Sequence, residues 1–248
     1  MTMARFLFKY EVYIIDYLPL PDNAIIFDIG CSYGEYTSEV IRKMGKRPFS
    51  VHCFDPVKDF CDKQCDLFGH IPGIRINNFG LYNEKKESIF YRINAPGNEA
   101  SEGCSSLCLR PDFITQKWPY VPTMVKLDTL DNYIKERAIK HIDLMKIDVE
   151  GAELGVFQGG REMFANELVD VIQFEYNSCL RDMGVMMADI IKFIEPFNYS
   201  LCDFLGDKPF NYDLDEYPDG RFVRLTSFID DYGHHNYFLI NDTYLDNL

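Results

Sequence analysis

An apolar run that ends in an acid and opens onto two glycines constrains this chain more than any other stretch. It reads Ile25-Ile26-Phe27-Asp28-Ile29-Gly30-Cys31-Ser32-Tyr33-Gly34, and Glu35 to Met44 after it has the pattern of a helix. A strand, a glycine-bearing turn and a helix make one half of a nucleotide-binding α/β unit. Glycine reaches backbone conformations closed to other residues and lets a ligand approach the main chain. The helix start adds free N–H donors and the positive end of a dipole. The spacing is D-x-G-x-x-x-G rather than the G-x-G-x-x-G of the dinucleotide fingerprint. Taken alone it also fits a buried strand with a tight turn.

The same logic recurs downstream. Ser50 to Asp55 reads as a second short strand ending in an acid, followed by Pro56 and a helix from Val57 to Leu67. An acid there is placed to accept both hydroxyls of a ribose; the bland alternative is a solvated acid at a helix start. Ile74 to Phe79 is a third strand, and Gly80-Leu81 at its end either floors an adenine pocket or is an ordinary turn. Asn83 to Ile93 carries a charged turn and an alternating strand. Residues 94–118 form an irregular loop, long enough to be functional or disordered. Its Gly103-Cys104-Ser105-Ser106-Leu107 either lines a pocket or belongs to a lid without direct contacts. Val121 to Lys126 is strand-like, and Asp128 to Ala138 has helical spacing.

Ile142 to Glu153 is the second constraining stretch. A buried-type strand ends in Asp148 and Glu150, then Gly151 and a helix follow. Open α/β sheets bind ligands outside the carboxyl ends of their strands, so Asp148 and Glu150 are candidates for chemistry. Glu153 reads as an acid favoured by the dipole at a helix start. Val169 to Tyr176 is the next strand, with Glu175 either at the same rim or a satisfied buried acid. A helix over Met186 to Phe193 and strands at Tyr199 to Phe204 and Tyr237 to Ile240 complete the chain. Residues 205–236 between those strands are acidic, aromatic and turn-rich, with His234-His235 near their end. That pair is a proton acceptor, a ligand or plain polar surface.

The 248 residues suffice for one large α/β domain. Strands alternating with helices argue a mostly parallel sheet. The expectation is a single domain over 1–248, with an N-terminal helical extension at 1–22 and an insertion at 205–236. The net charge of −14 and pI near 4.7 argue against nucleic acid and anionic membranes as partners. No apolar run approaches the 18 residues of a membrane span. The N-terminal stretch lacks the apolar core of a signal peptide, so a reducing, cytoplasmic setting is expected for the eight cysteines. Cys61/Cys65 and Cys104/Cys108 depart from the usual zinc spacings.

Asp28, Gly30 and Gly34, the acid after the second strand, and the block Lys146-Ile147-Asp148-Val149-Glu150-Gly151-Ala152-Glu153 coincide in one chain. Together with Phe54-Asp55-Pro56, Asn78 to Leu81, Ser105-Ser106-Leu107 and Val125 to Asp131, they resemble the FkbM family of S-adenosylmethionine-dependent methyltransferases. The resemblance implies a three-layer, Rossmann-like, seven-stranded sheet with an antiparallel last strand, and transfer of a methyl group usually to oxygen. It implies that Asp28, Gly30, Cys31, Ser32, Tyr33 and Gly34 hold the methionine part of the cofactor. Asp55 takes the ribose hydroxyls, Pro56, Phe79, Gly80 and Leu81 border adenine, and Asp148 lies near the sulfonium. Cys31-Ser32 stands where the family commonly has Ala-Asn, and Tyr176-Asn177 where a His often follows the fifth-strand acid.

The expected reaction is in-line transfer to a hydroxyl, with Asp148, Glu150 or Glu175 accepting the proton or holding a divalent cation that acidifies the hydroxyl. A neutral or cationic small molecule, or a saccharide stacked on aromatic rings, suits the acidic, aromatic chain as substrate. A nicotinamide-dependent oxidoreductase on a similar sheet and a non-catalytic cofactor-binding subunit are the alternatives. The glycine spacing and the Lys146 to Gly151 block count against the first, and the intact motifs against the second.

Overall fold

The structure, a computed structural model, describes residues 13–95, 102–111, 114, 119–205, 221–226 and 235–248. Strands and helices alternate as the apolar periodicity requires: β1 (Ala24–Ile29), α1 (Glu35–Met44), β2 (Phe49–Phe54), α2 (Lys58–Phe68) and β3 (Ile74–Asn77). Then come β4 (Gly80–Leu81), β5 (Lys86–Ile93), β6 (Tyr120–Asp128), α3 (Leu130–Arg137), β7 (Ile142–Ile147), α4 (Glu153–Gln158) and α5 (Arg161–Ala165). The chain closes with β8 (Val169–Tyr176), α6 (Ser178–Asp182), α7 (Met187–Ile194), β9 (Tyr199–Leu205), β10 (Arg221–Arg224), β11 (His235–Asn241) and α8 (Asp242–Leu245).

The main sheet has eight strands in the order β10-β9-β11-β8-β7-β1-β2-β3. Its centre is parallel: β1 pairs with β2 and β7, β2 with β3, and β7 with β8. The last strand, β11, inserts antiparallel between β8 and β9. The seven expected strands are all present. The eighth, β10, comes from within the 205–236 segment and pairs antiparallel on the edge with β9. Of the histidine pair, His234 lies outside the described residues, and His235 opens β11 opposite Tyr176.

Alternation along the strands sends side chains into two layers. Phe27, Ile29, Phe54, Ile147 and Phe174 face α3, α4 and α7 in one core, with Leu130, Phe157 and Ile190. Ile26, Val51, Leu144 and Val171 face the other, with Tyr36, Val40 and Met44 of α1. Each such fully buried large side chain contributes on the order of 1.5–3 kcal/mol. The expected N-terminal helix falls largely on residues 1–12, outside the described residues. Tyr13–Asp16 form a 3-10 turn, and Ile14, Ile15, Leu18 and Leu20 are buried in the α1 layer. Among the described residues no helix is long and apolar enough to cross a membrane.

Two expected boundaries move for local reasons. The third strand ends at Asn77, whose side-chain amide donates to the Cys53 carbonyl at 2.9 Å. Beyond it, Gly80 and Leu81 join a separate three-stranded sheet, β4-β6-β5. Helix α3 starts at Leu130 rather than Asp128, because Thr129 is its cap and accepts from the Asn132 amide at 3.1 Å. The small sheet turns Phe90, Val125 and Leu127 inward against Val57 and Phe60, over the carboxyl ends of β1 and β2.

Candidate active site

At Gly30 the chain leaves β1 between β2 and β7. Its φ is +82°, and its amide donates to the Phe54 carbonyl at 3.0 Å. A Cβ there would sit 1.7 Å from the Asp148 carbonyl oxygen. Glycine is therefore required twice, by conformation and by the close approach of the β7 turn. Gly34 (φ +86°) ends the turn, and a Cβ on it would meet the Phe68 ring at 2.6 Å. Between them the Ser32 amide donates to Asp55 Oδ2 at 2.9 Å, while the Val57 amide donates to Oδ1 at 2.8 Å. The first two strand ends are thus tied together through one carboxylate.

These turns frame a cleft enclosing about 560 Å³ of unfilled space, part of it open to solvent. Gly30, Ser32, Asp55, Pro56, Gly80 and Leu81 line one side, and Asp148, Val149, Glu150 and Ala152 the other. Phe90 and Leu127 of the small sheet close it together with Gly103, Ser105 and Leu107. Its walls are mostly apolar, with Asp55, Asp148 and Glu150 as the carboxylates among them.

Eight expected site residues therefore meet in the cleft: Gly30, Ser32, Asp55, Pro56, Gly80, Leu81, Asp148 and Glu150. The side chains of Asp28, Cys31, Tyr33 and Phe79 turn away, and Glu175 stands beside the cleft acids without lining it. Asp28 is fully buried behind the glycine turn, where its Oδ2 accepts from Thr37 at 2.6 Å. Its Oδ1 has no partner among the described residues, and burial raises its pKa. The Cys31 thiol packs in the α1 core and accepts from Gln64 Nε2 at 3.0 Å. Tyr33 donates its hydroxyl to Glu102 and lies under the Lys63 ammonium. Phe79 packs on Phe54 and Tyr133. Cys31, Tyr33 and Phe79 thus offer the cleft no side chain.

Asp148, Glu150 and Glu175 converge, each with a carboxylate oxygen within 4.8 Å of the others. Lys146, itself buried, donates to Asp148 Oδ2 at 2.8 Å. Burial, reinforced by the charges of Glu175 and Asp148, pushes Glu150 up to about 8. Burial likewise pushes Asp55 up to about 7, against the pull of its two backbone donors. Glu150 also has a φ of +52°, a conformation disfavoured by roughly 1–2 kcal/mol in non-glycine residues.

Glu153 differs from its expectation as an exposed helix-start acid. It is 1% exposed, and its Oε1 accepts from the amides of Val149 and Gly151 at 3.1 and 3.3 Å. Its own turn wraps around it, so it shapes the loop carrying Asp148 and Glu150. Arg110 and Cys179 were not singled out by sequence. Arg110 Nη1 lies 3.3 Å from Glu150 Oε2, and the Cys179 thiol donates to the same oxygen at 2.8 Å. Their only sequence signal is proximity: Arg110 follows the Ser105-Ser106-Leu107 stretch, and Cys179 follows the fifth-strand acid. Neither cysteine pair belongs to a cluster of metal-ligating side chains among the described residues. Cys61 is buried, with its thiol on the Asp55 carbonyl, whereas Cys65 is exposed.

A parallel sheet that reverses order beside β1, an antiparallel last strand inserted next to β8, and a glycine turn at the reversal define the class I methyltransferase architecture. The chain belongs to the FkbM methyltransferase family: the Methyltransferase FkbM domain matches residues 28–201. Members of this family are S-adenosylmethionine-dependent. The 2-O-methyltransferase NoeI of Sinorhizobium fredii is 27% identical over 159 residues, which cover 62% of this chain and 64% of NoeI. The AMB antimetabolite synthetase AmbE of Pseudomonas aeruginosa is 24% identical over 179 residues, a match covering 62% of this chain but only 8% of AmbE. The fold is shared with the crystal structure of a methyltransferase FkbM from Methylobacillus flagellatus, at a TM-score of 0.53 and 14% identity. That alignment covers 90% of this chain and 45% of the other.

Proposed function

We propose that this protein is a cytoplasmic O-methyltransferase that moves the methyl group of S-adenosylmethionine to a hydroxyl of a small molecule or saccharide. The observation that carries the reading is the juxtaposition, in one cleft, of apolar walls with Asp148 and Glu150, two of three converging carboxylates. When bound, the cofactor supplies an electrophilic methyl group on a positively charged sulfur. The residues present fit it. The apolar walls formed by Phe54, Pro56, Leu81 and Leu127 suit a flat base. Gly80 keeps that floor low, because a Cβ there would reach the Leu127 side chain at 2.8 Å.

Asp55 would hold the ribose hydroxyls: each oxygen already takes one backbone donor and retains lone-pair capacity for another. Gly30 and Ser32 would hold the methionine part, while Cys31, Tyr33 and Gly34 shape the turn. The orphaned Oδ1 of Asp28 adds a buried acceptor beneath that turn. Asp148 would face the sulfonium, with Lys146 fixing its other edge. Glu150, with Glu175 beside it, would take the proton of the acceptor hydroxyl; a carboxyl near neutrality is poised for that transfer. The same three acids are the ligand set for a divalent cation, should the hydroxyl need one. NoeI, a 2-O-methyltransferase by name, supports the oxygen acceptor.

Two measurements test the reading. S-adenosylhomocysteine should raise the melting temperature where NAD does not. Methyl-labelled cofactor mixed with host extract should label a hydroxyl compound. The reverse thermal-shift result, or label appearing on carbon or nitrogen, overturns it. Full rate in a strong chelator removes the cation while leaving the carboxylate base in place.

A further inference from the structure

We propose that Arg110 is the positioning residue of the acid rim: its guanidinium, anchored on Asp182, holds the Glu150 carboxylate in the orientation needed toward the methyl acceptor. This rests on the methyl-transfer reading above.

Residues 102–111 form a strap across the cleft mouth. At one end Tyr33 of the glycine turn is bonded to Glu102. In the middle, Gly103, Ser105 and Leu107 line the cleft, and Ser106 pairs with Tyr91 of the small sheet. The Ser106 hydroxyl donates to the Glu150 carbonyl at 2.7 Å. At the far end Arg110, 7% exposed, meets Glu150 and is not part of the cleft lining. Its Nη1 lies 3.3 Å from Glu150 Oε2, and its Nε 3.5 Å from Asp182 Oδ2 at the end of α6. The strap therefore grips Glu150 twice, by main chain and by side chain.

Without such a grip the arrangement opposes itself. Glu150 sits in a strained backbone conformation, with Asp148 and Glu175 at close range. Once Glu150 is ionised, like charges drive the carboxylates apart, so without a counter-charge its side chain would rotate away from the other two. Arg110 and the Cys179 thiol both hold Oε2, and neither residue lines the cleft. We assign the remaining oxygen, Oε1, to the methyl acceptor. A guanidinium performs this task better than an ammonium, since its planar fork can address two carboxylates at once. The ion pair with Asp182 ties the guanidinium to the helix that follows Glu175.

The test compares wild type with Arg110→Met, Arg110→Lys and Asp182→Asn. Initial rates are taken with labelled S-adenosylmethionine and one fixed host-extract preparation, varying the cofactor. Each variant is also titrated calorimetrically with S-adenosylhomocysteine. A misplaced reacting group costs rate rather than cofactor binding. The expected result is a maximal rate lowered about tenfold or more in Arg110→Met. The cofactor KM and the S-adenosylhomocysteine Kd should stay within about twofold of wild type. Arg110→Lys should recover part of the rate. Asp182→Asn, which leaves Glu150 untouched, should lose rate to a smaller degree in the same pattern. An unchanged rate in Arg110→Met overturns the proposal alone. So does a Kd that weakens in step with the rate across all three variants, because the arginine would then be holding the fold rather than the acid. Wild type that binds S-adenosylhomocysteine yet transfers no label overturns the catalytic reading, and this proposal with it.

Discussion

Replacing Glu153 by Gln should change how the stability of this protein depends on pH, by an amount the structure sets. Glu153 is 1% exposed; its Oε1 accepts two backbone N–H groups, and its Oε2 has no partner among the described residues. Burial dominates over the backbone hydrogen bonds and pushes the carboxyl from 4.5 up to about 8. The folded chain therefore keeps a proton that the unfolded chain releases. A raised carboxyl pKa makes the folded state more stable at low pH. The benefit is lost progressively between about 4.5 and 8, at about 1.4 kcal/mol per pH unit. Integrated over that window the loss is on the order of 5 kcal/mol. Gln keeps an oxygen for the Val149 and Gly151 amides and removes the titration. The two proteins should have similar unfolding free energies at pH 5, and the variant should be more stable by roughly 4 kcal/mol at pH 9. Urea unfolding of the ligand-free proteins from pH 5 to 9 measures the difference directly. Asp55 and Glu150 titrate in both and cancel. Stability curves that run parallel, offset by a constant, would refute the claim that this buried acid holds its proton.

Two further outcomes follow from the glycine turn and the carboxylate beside it. Gly30→Ala places a Cβ 1.7 Å from the Asp148 carbonyl and a side chain at φ +82°. It should cost more than about 3 kcal/mol in unfolding free energy and abolish binding of S-adenosylhomocysteine, read by calorimetry; wild-type affinity would show that the two turns do not touch. Asp55 is raised to about 7, and ribose hydroxyls favour its ionised form, so S-adenosylhomocysteine should bind more weakly at pH 6 than at pH 8. Asp55→Asn should flatten that dependence, and an equally steep profile in the variant would assign it to another group.

How much of this was legible in the sequence depends on how local the cause is. The run Ile25 to Gly34 declared a strand and a turn because an apolar run and a positive-φ glycine are properties of neighbouring residues. The same holds for Ile142 to Gly151. The eighth strand was not legible: Arg221 to Arg224 pairs only through the edge that β9 offers. Glu153 read as solvated because its position, first in a helix, predicts a dipole partner. Whether a carboxylate there faces water or its own preceding turn depends on the path of the chain. Cys31 and Tyr33 lie within a motif expected to touch the cofactor, yet the alternation of the turn sends their side chains into the α1 core and toward Glu102. Arg110 was invisible for the plainest reason, since the acids it meets are distant in sequence.

The contact between Gly30 and the Asp148 carbonyl has a consequence for how this chain comes into being. The wall of the cleft is made where the first strand meets a strand from the middle of the sequence, with β7 seated between β1 and β8. A nascent chain that has released only β1 to β6 has the glycine turn, Asp55 and the small sheet, but not the opposite wall. Cofactor affinity is therefore expected to arrive late in synthesis, when β7 docks. Binding of S-adenosylhomocysteine to ribosome-bound fragments of increasing length would report that docking as a single step.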